Sequence, residues 1–139
     1  MDSAMGNKLV DTSAEKKKPT VVVCIPGNNF SGRFLKCWTG AVMSLAEHYD
    51  IALANAYSSQ VNFARTLCLG ADVMRGPDQK PFDGELKYDV IFFLDSDMVF
   101  SGDMLHVLIK RCLANKNKIV SGTYAMDGGQ QMACIEKWD

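Results

Sequence analysis

The sequence predicts a single α/β domain built on a mostly parallel sheet with helices on both faces, a three-layer α/β/α arrangement. Three observations carry this. Apolar runs alternate with amphipathic patterns in the order strand, helix, strand, helix, strand, helix, strand. The run Val90-Ile91-Phe92-Phe93-Leu94 is apolar without alternation, which suits a strand covered on both faces. The length, 139 residues, is enough for one modest domain and not for two.

Met1 to Pro19 has almost no apolar content and ends in Lys16-Lys17-Lys18 before the proline, so it reads as a disordered tail with a solvated basic run. The domain is expected over residues 20–139. Thr20 to Ile25 is a first strand, β-branched and stopped by Pro26-Gly27. The loop Pro26-Gly27-Asn28-Asn29 leads into a helix over Gly32 to His48. There Phe34, Leu35, Trp38, Ala41, Val42 and Leu45 follow helical spacing, and Ser31, Asn28 and Asn29 are candidate caps.

Asp50 to Ala54 is a short second strand, followed by the polar loop Asn55 to Gln60. A second helix is expected over Val61 to Met74, with Arg65 in its early turns, where a cation opposes the helix dipole unless an anion lies beside it. Arg75 to Lys87 is a loop rich in Gly, Pro and charge. Ser101-Gly102-Asp103 opens a third helix with serine as cap and an acidic residue in its first turn. Lys118 to Tyr124 is expected as a fourth strand, Gly128-Gly129 as a turn, and Gln131 to Glu136 as a weak edge strand.

The chemistry gathers at the end of the central strand, where Leu94 is followed by Asp95-Ser96-Asp97. Ligands of open α/β sheets bind outside the carboxyl ends of the strands, and aspartate is a poor strand former. Two readings stand on these residues. Asp95 and Asp97 either hold a hard divalent cation, Mg²⁺ or Mn²⁺, and through it a diphosphate, or they end the strand in a turn. The first loop and the start of its helix make a natural anion cradle. The sequence contains neither GxGxxG nor GxxxxGK[ST], which excludes a dinucleotide fingerprint and a P-loop.

Composition excludes several classes. A net charge of −1 recommends no nucleic-acid surface. No apolar run approaches the ~20 residues that span a bilayer, and the N-terminus lacks the apolar core of a signal peptide, so a cytoplasmic location is expected. The five cysteines have no zinc-type pairing and read as buried free thiols. The two histidines, His48 and His106, fall on helices far apart in sequence and are not assigned a role.

The order VVVCIPGNN, a helix, NFARTLCLGAD, YDVIFFLDSDMVF and IVSGTYAM resembles the nucleotide-binding half of a GT-A glycosyltransferase, Rossmann-like in fold. It is most similar to the family-2-like and Anp1-like transferases, over roughly Thr20 to Met126. The resemblance implies a metal-dependent transferase that moves a sugar from a nucleotide-diphosphate-sugar donor to a glycan or other acceptor. It implies that Pro26, Gly27 and Asn28 contact the nucleotide base, and that Ala64-Arg65 begins the motif usually written Ala-Arg-Asn, with Arg65 close to the nucleotide. Asp95 and Asp97 match the DxD, Ser96 lying between them. In such enzymes the first aspartate approaches ribose and metal, and the second ligates the Mn²⁺ or Mg²⁺ that bridges the diphosphate.

Three departures accompany the likeness. Thr66 stands where the motif's asparagine is usual. Asn55-Ala56-Tyr57 stands where an aspartate often holds the base, so Asn55 is an uncharged candidate for that contact. The chain stops at Asp139, short of an acceptor-binding half, leaving Asp127, Glu136 and Asp139 as its late carboxylates. An alternative expectation follows, a truncated nucleotide-sugar-binding or scaffold domain without turnover. Haloacid-dehalogenase-like phosphatases also use Asp-x-Asp, but on the first strand. A bare sheet face would further imply self-association.

Overall fold

The structure, a computed structural model, describes residues 17–123. It is an α/β fold with a three-stranded parallel sheet and three helices. The elements are β1 (Thr20–Pro26), α1 (Gly32–Leu45), β2 (Asp50–Ala56), α2 (Val61–Cys68), β3 (Val90–Phe93) and α3 (Gly102–Ala114). Among the described residues β1, not the Val90–Leu94 run expected to be central, lies in the middle, in the order β2-β1-β3, and β3 flanks it with Phe93 exposed. Its register runs from Thr20 opposite Asp50 to Pro26 opposite Ala56 on one side, and from Val21 opposite Val90 to Cys24 opposite Phe93 on the other. All three strands therefore end at the same edge. The loops after Pro26, Ala56 and Phe93 share it.

The period-two alternation of β1 divides the interior. Val21, Val23 and Ile25 pack with Phe34, Ala41 and Leu45 of α1 and Leu105 and Ile109 of α3. Val22 and Cys24 point the other way, toward Cys68 of α2, Leu69 and Phe82. Cys24 and Cys68 are buried free thiols. Burial, with Cys68 beside it, pushes the Cys24 thiol up to about 12, so it is inert as a nucleophile at neutral pH. α1 and α3 approach closely at Gly102, where a Cβ would stand 3.0 Å from Ser44 Cβ and 3.4 Å from Ala41 Cα. That contact sets the end of the loop that begins at Asp95.

Local chemistry explains where helices begin and end. Ser31 Oγ accepts from Phe34 N at 3.0 Å and Ser101 Oγ from Met104 N at 3.3 Å, so both predicted serine caps are present. α1 stops at Leu45, three residues before the predicted His48. Lys18, read from sequence as part of a solvated tail, is bound to the domain. Its Nζ donates to Ala46 O at 2.9 Å, placing a cation on an orphan carbonyl at the negative end of α1.

β2 runs on to Ala56, so Asn55 and Ala56 of the expected polar loop belong to the strand, paired with Ile25 and Pro26. Two further predicted elements need correction. The second helix ends at Cys68, not Met74. Gly70 takes φ +69°, and Asp72 Oδ1 accepts from Met74 N at 2.9 Å to cap a separate 3₁₀ turn, Val73–Arg75. Gln79 then ties that turn to the loop through Asp72 O at 2.6 Å. The fourth strand is also absent over residues 118–123. Ile119 is fully exposed, and a Cβ on Gly122 would meet Leu108 of α3 at 3.2 Å. A single Ile-Val pair followed by Ser-Gly offers too little apolar surface to hold a strand against a neighbour. Tyr124, the Gly128-Gly129 turn, the Gln131–Glu136 strand and Asp127, Glu136 and Asp139 lie outside the described residues, as does the tail before Lys17.

The two histidines, distant in sequence, meet where the end of α1 crosses α3. Their ring centroids are 4.8 Å apart, and His106 Nδ1 shares a hydrogen bond with the Tyr49 hydroxyl at 3.0 Å. Burial first, then His48 and Lys110, hold the His106 pKa below its ordinary 6.5, against a smaller opposing pull from Asp103. The unfolded chain therefore takes up this proton more readily than the folded one. The contribution is complete above about pH 6.5 and is lost as pH falls from there toward the depressed folded value. Thermal melts of wild type and His106→Gln at about pH 7.5 and about pH 5.5 check this. The wild type should lose more of its melting temperature on acidification than the variant, and equal losses would remove His106 as the cause.

Candidate functional site

A cleft of ≈ 300 Å³ opens at the carboxyl edge of the sheet, lined by Pro26, Gly27, Tyr57, Ser58, Val61, Ala64, Asp95, Ser96 and Asp97. Strand order explains the assembly. The chain leaves β1 toward β2 and returns past it to β3, so the β1 and β3 loops meet over the central strand, the usual ligand crevice of open α/β sheets. Leu94 N still bonds Cys24 O at 3.0 Å, and the acidic pair follows directly.

The first loop is built for close approach. Pro26 is buried, and Gly27 takes φ +145° with its N donating to Ala56 O at 2.9 Å. A Cβ at Gly27 would stand 3.1 Å from Ser96 Cβ and 3.2 Å from Ser96 Oγ, so the two loops touch where only glycine fits. Asn55 secures this arrangement from β2. Its Nδ2 donates to Ile25 O at 2.7 Å and Gly27 O at 2.9 Å. Two carbonyl acceptors fix the orientation of the amide and use both of its hydrogens. Asn55 thus pins the first loop with its amide donors, which leaves only Oδ1 for the base contact expected of it. Asn28 is exposed, accepts from Asn29 Nδ2 at 3.2 Å, and is not part of the cleft lining.

Arg65 lies beside the acidic pair. Its Nη2 contacts both Asp95 oxygens, at 3.1 and 3.2 Å, with the two side chains 46% and 47% exposed. It is the one salt bridge among the described residues. One nitrogen serving two oxygens at this exposure contributes about 0–1 kcal/mol. Because α2 is short, Arg65 falls in its last turn, where the helix dipole favours a cation. The early-turn position expected from sequence, and the opposition to the dipole inferred from it, do not hold. Asp97 is exposed and has no ion-pair partner among the described residues.

The donor set at this corner is hard oxygen from two carboxylates, one already facing a cation. No group of three or more His, Cys, Asp or Glu side chains converges to hold a metal among the described residues. Two carboxylates nevertheless suit an ion that keeps most of its ligands as water and substrate phosphate, the usual habit of Mg²⁺. The residues present therefore fit a cation shared with a diphosphate better than a closed protein cage.

The sequence reading did not include Tyr57, Ser58, Val61 and Ala64 among the site residues. Their signal was the second-strand loop, already placed on this edge. Tyr57 is 56% exposed and gives the cleft an aromatic surface. A smaller cleft of ≈ 200 Å³ on the outer side of α2 shares Ser58 and is lined mainly by Phe63, Leu67, Val73 and Met74.

Comparison of the chain with protein-family models, curated proteins and solved structures returned no match. Among the described residues, no helix is long and apolar enough to cross a membrane.

Proposed function

We propose that the protein binds a nucleoside-diphosphate sugar in the cleft at the sheet's carboxyl edge and transfers the sugar to an acceptor. The fold would then be a three-layer, Rossmann-like sheet of the GT-A kind. One observation carries the reading. The paired carboxylates at the end of β3 open into the same cleft as the tight Pro26–Gly27 loop of β1, with a cationic side chain alongside.

In this reading Asp95 and Asp97 would hold Mn²⁺ or Mg²⁺ together with the diphosphate, and such an ion would supply positive charge to offset that of the departing group. The chain's own residues do the rest. Pro26 and Gly27 border the base, with Asn28 outside the lining, and Gly27 leaves room for the ligand to lie against backbone. Tyr57 offers an aromatic face for a planar base, and Asn55 keeps the first loop in register with β2. Arg65 supplies positive charge for the diphosphate. A second reading, binding without turnover, is favoured by one fact. Asp95 and Asp97 are the only acidic residues lining the cleft among those described, and neither is spare to serve as a base.

Calorimetric titration with UDP and with GDP, each with and without Mn²⁺, tests the assignment on wild type and Asp97→Asn. Binding should require Mn²⁺ and be abolished in the variant, while its melting temperature stays that of wild type. Absence of nucleotide binding with or without metal would reduce Asp95 and Asp97 to turn residues. Donor hydrolysis or transfer then separates the enzyme from the binding module.

A further inference from the structure

We infer that Arg65 is an intramolecular stand-in for the divalent cation, and that it couples metal binding to nucleotide binding. The inference rests on the function proposed above. One guanidinium nitrogen, Nη2, contacts both oxygens of Asp95, at 3.1 and 3.2 Å, so a metal ion competes with it for that carboxylate. Asp97, the other acidic lining residue, has no ion-pair partner among the described residues. Metal arriving alone therefore finds one carboxylate open and the second covered by a cation, which also repels it.

A diphosphate changes the balance. It is a better partner for guanidinium than a half-exposed carboxylate, because phosphate oxygens accept parallel N–H bonds and carry more charge. Arg65 swings from Asp95 to the diphosphate, and Asp95 is released to the metal that the same diphosphate brings. Arg65 is suited to the move. It is exposed on a helix of eight residues, its side chain makes no other hydrogen bond among the described residues, and it is held by a weak pair. The arrangement makes nucleotide and metal bind with positive coupling, each raising the affinity of the other by the same factor.

The test compares Mn²⁺ alone, UDP alone and both together, by calorimetry and by the electron paramagnetic resonance of free Mn²⁺. The proteins are wild type, Arg65→Gln and Asp97→Asn. In Arg65→Gln, Mn²⁺ alone should bind about three- to tenfold more tightly than in wild type, since a competing and repelling charge is gone. The same variant should bind UDP more weakly at saturating Mn²⁺, and the factor by which each ligand enhances the other should shrink toward one. Tighter metal binding on removal of an arginine is not what a merely structural role would produce. Equal Mn²⁺ affinity in wild type and Arg65→Gln, alongside Mn²⁺-dependent UDP binding that Asp97→Asn abolishes, overturns the stand-in role and leaves the proposed function intact. If no protein binds Mn²⁺ or UDP, both fall together. Circular dichroism melts of the three proteins confirm that differences in binding are not differences in folding.

Discussion

Leu45→Ala should cost about 2–5 kcal/mol of folding stability. Leu45 is completely buried on the last turn of α1, among Val21, Ala41, Tyr49 and Ile109. It closes the layer that α1 and α3 form over β1, so its removal leaves a void bounded by three elements whose backbones cannot all close in. Domains of this size are stable by only about 5–15 kcal/mol, so the loss is a substantial share of the total. Urea denaturation is the measurement. The midpoint should fall sharply with little change in slope, because the same surface is exposed on unfolding. A loss below about 1 kcal/mol would mean that this layer is loosely packed and can collapse around the gap.

Gly27→Val should damage both the fold and the site. A valine at φ +145° adopts a backbone conformation that L residues rarely take, at a cost of about 1–3 kcal/mol. Its Cβ would begin 3.1 Å from Ser96 Cβ before its methyl groups are counted. Either the first loop or the Asp95–Asp97 loop has to move, and both line the cleft. Nucleotide binding should be lost at temperatures where circular dichroism still shows folded protein. Gly27→Ala, with a smaller overlap, should weaken binding without abolishing it. Ser96→Gly introduced into Gly27→Ala should recover part of the loss, because it removes the side chain in the way. Wild-type affinity in Gly27→Val would show that the loop contact is irrelevant to the ligand.

Much of this architecture was legible from residue pattern, and the misses have physical causes. β1 and β3 were readable because five or six adjacent apolar, mostly β-branched or aromatic residues have few alternative homes. The parallel order that follows brought Pro26–Gly27 and Asp95–Asp97 to one edge. The overrun of α2 arose because its apolar stripe continues through Ala71, while Gly70 and the Asp72 cap carry the decisive local chemistry. The missing strand over residues 118–123 shows the reverse, propensity without a partner. Side-chain meetings across elements were the least readable. Arg65 reaching Asp95, Asn55 bridging to the first loop and His48 meeting His106 depend on helix phase and strand order together, which no local window contains.

The order β2-β1-β3 leaves an asymmetry with a consequence for growth of the sheet. Among the described residues, the outer sides of β2 and β3 both carry unpaired ladder groups, each a template for one more strand. The two sides are not equivalent. A parallel strand added beside β3 would end next to Asp97 and deliver its following loop to the open, acidic end of the cleft. One added beside β2, past the exposed Leu53, would end near Asn55 and Tyr57, at the opposite rim. Neighbouring chain or a partner docking on the β3 side would therefore reach the Asp95–Asp97 end of the cleft, whereas docking on the β2 side would reach Asn55 and Tyr57.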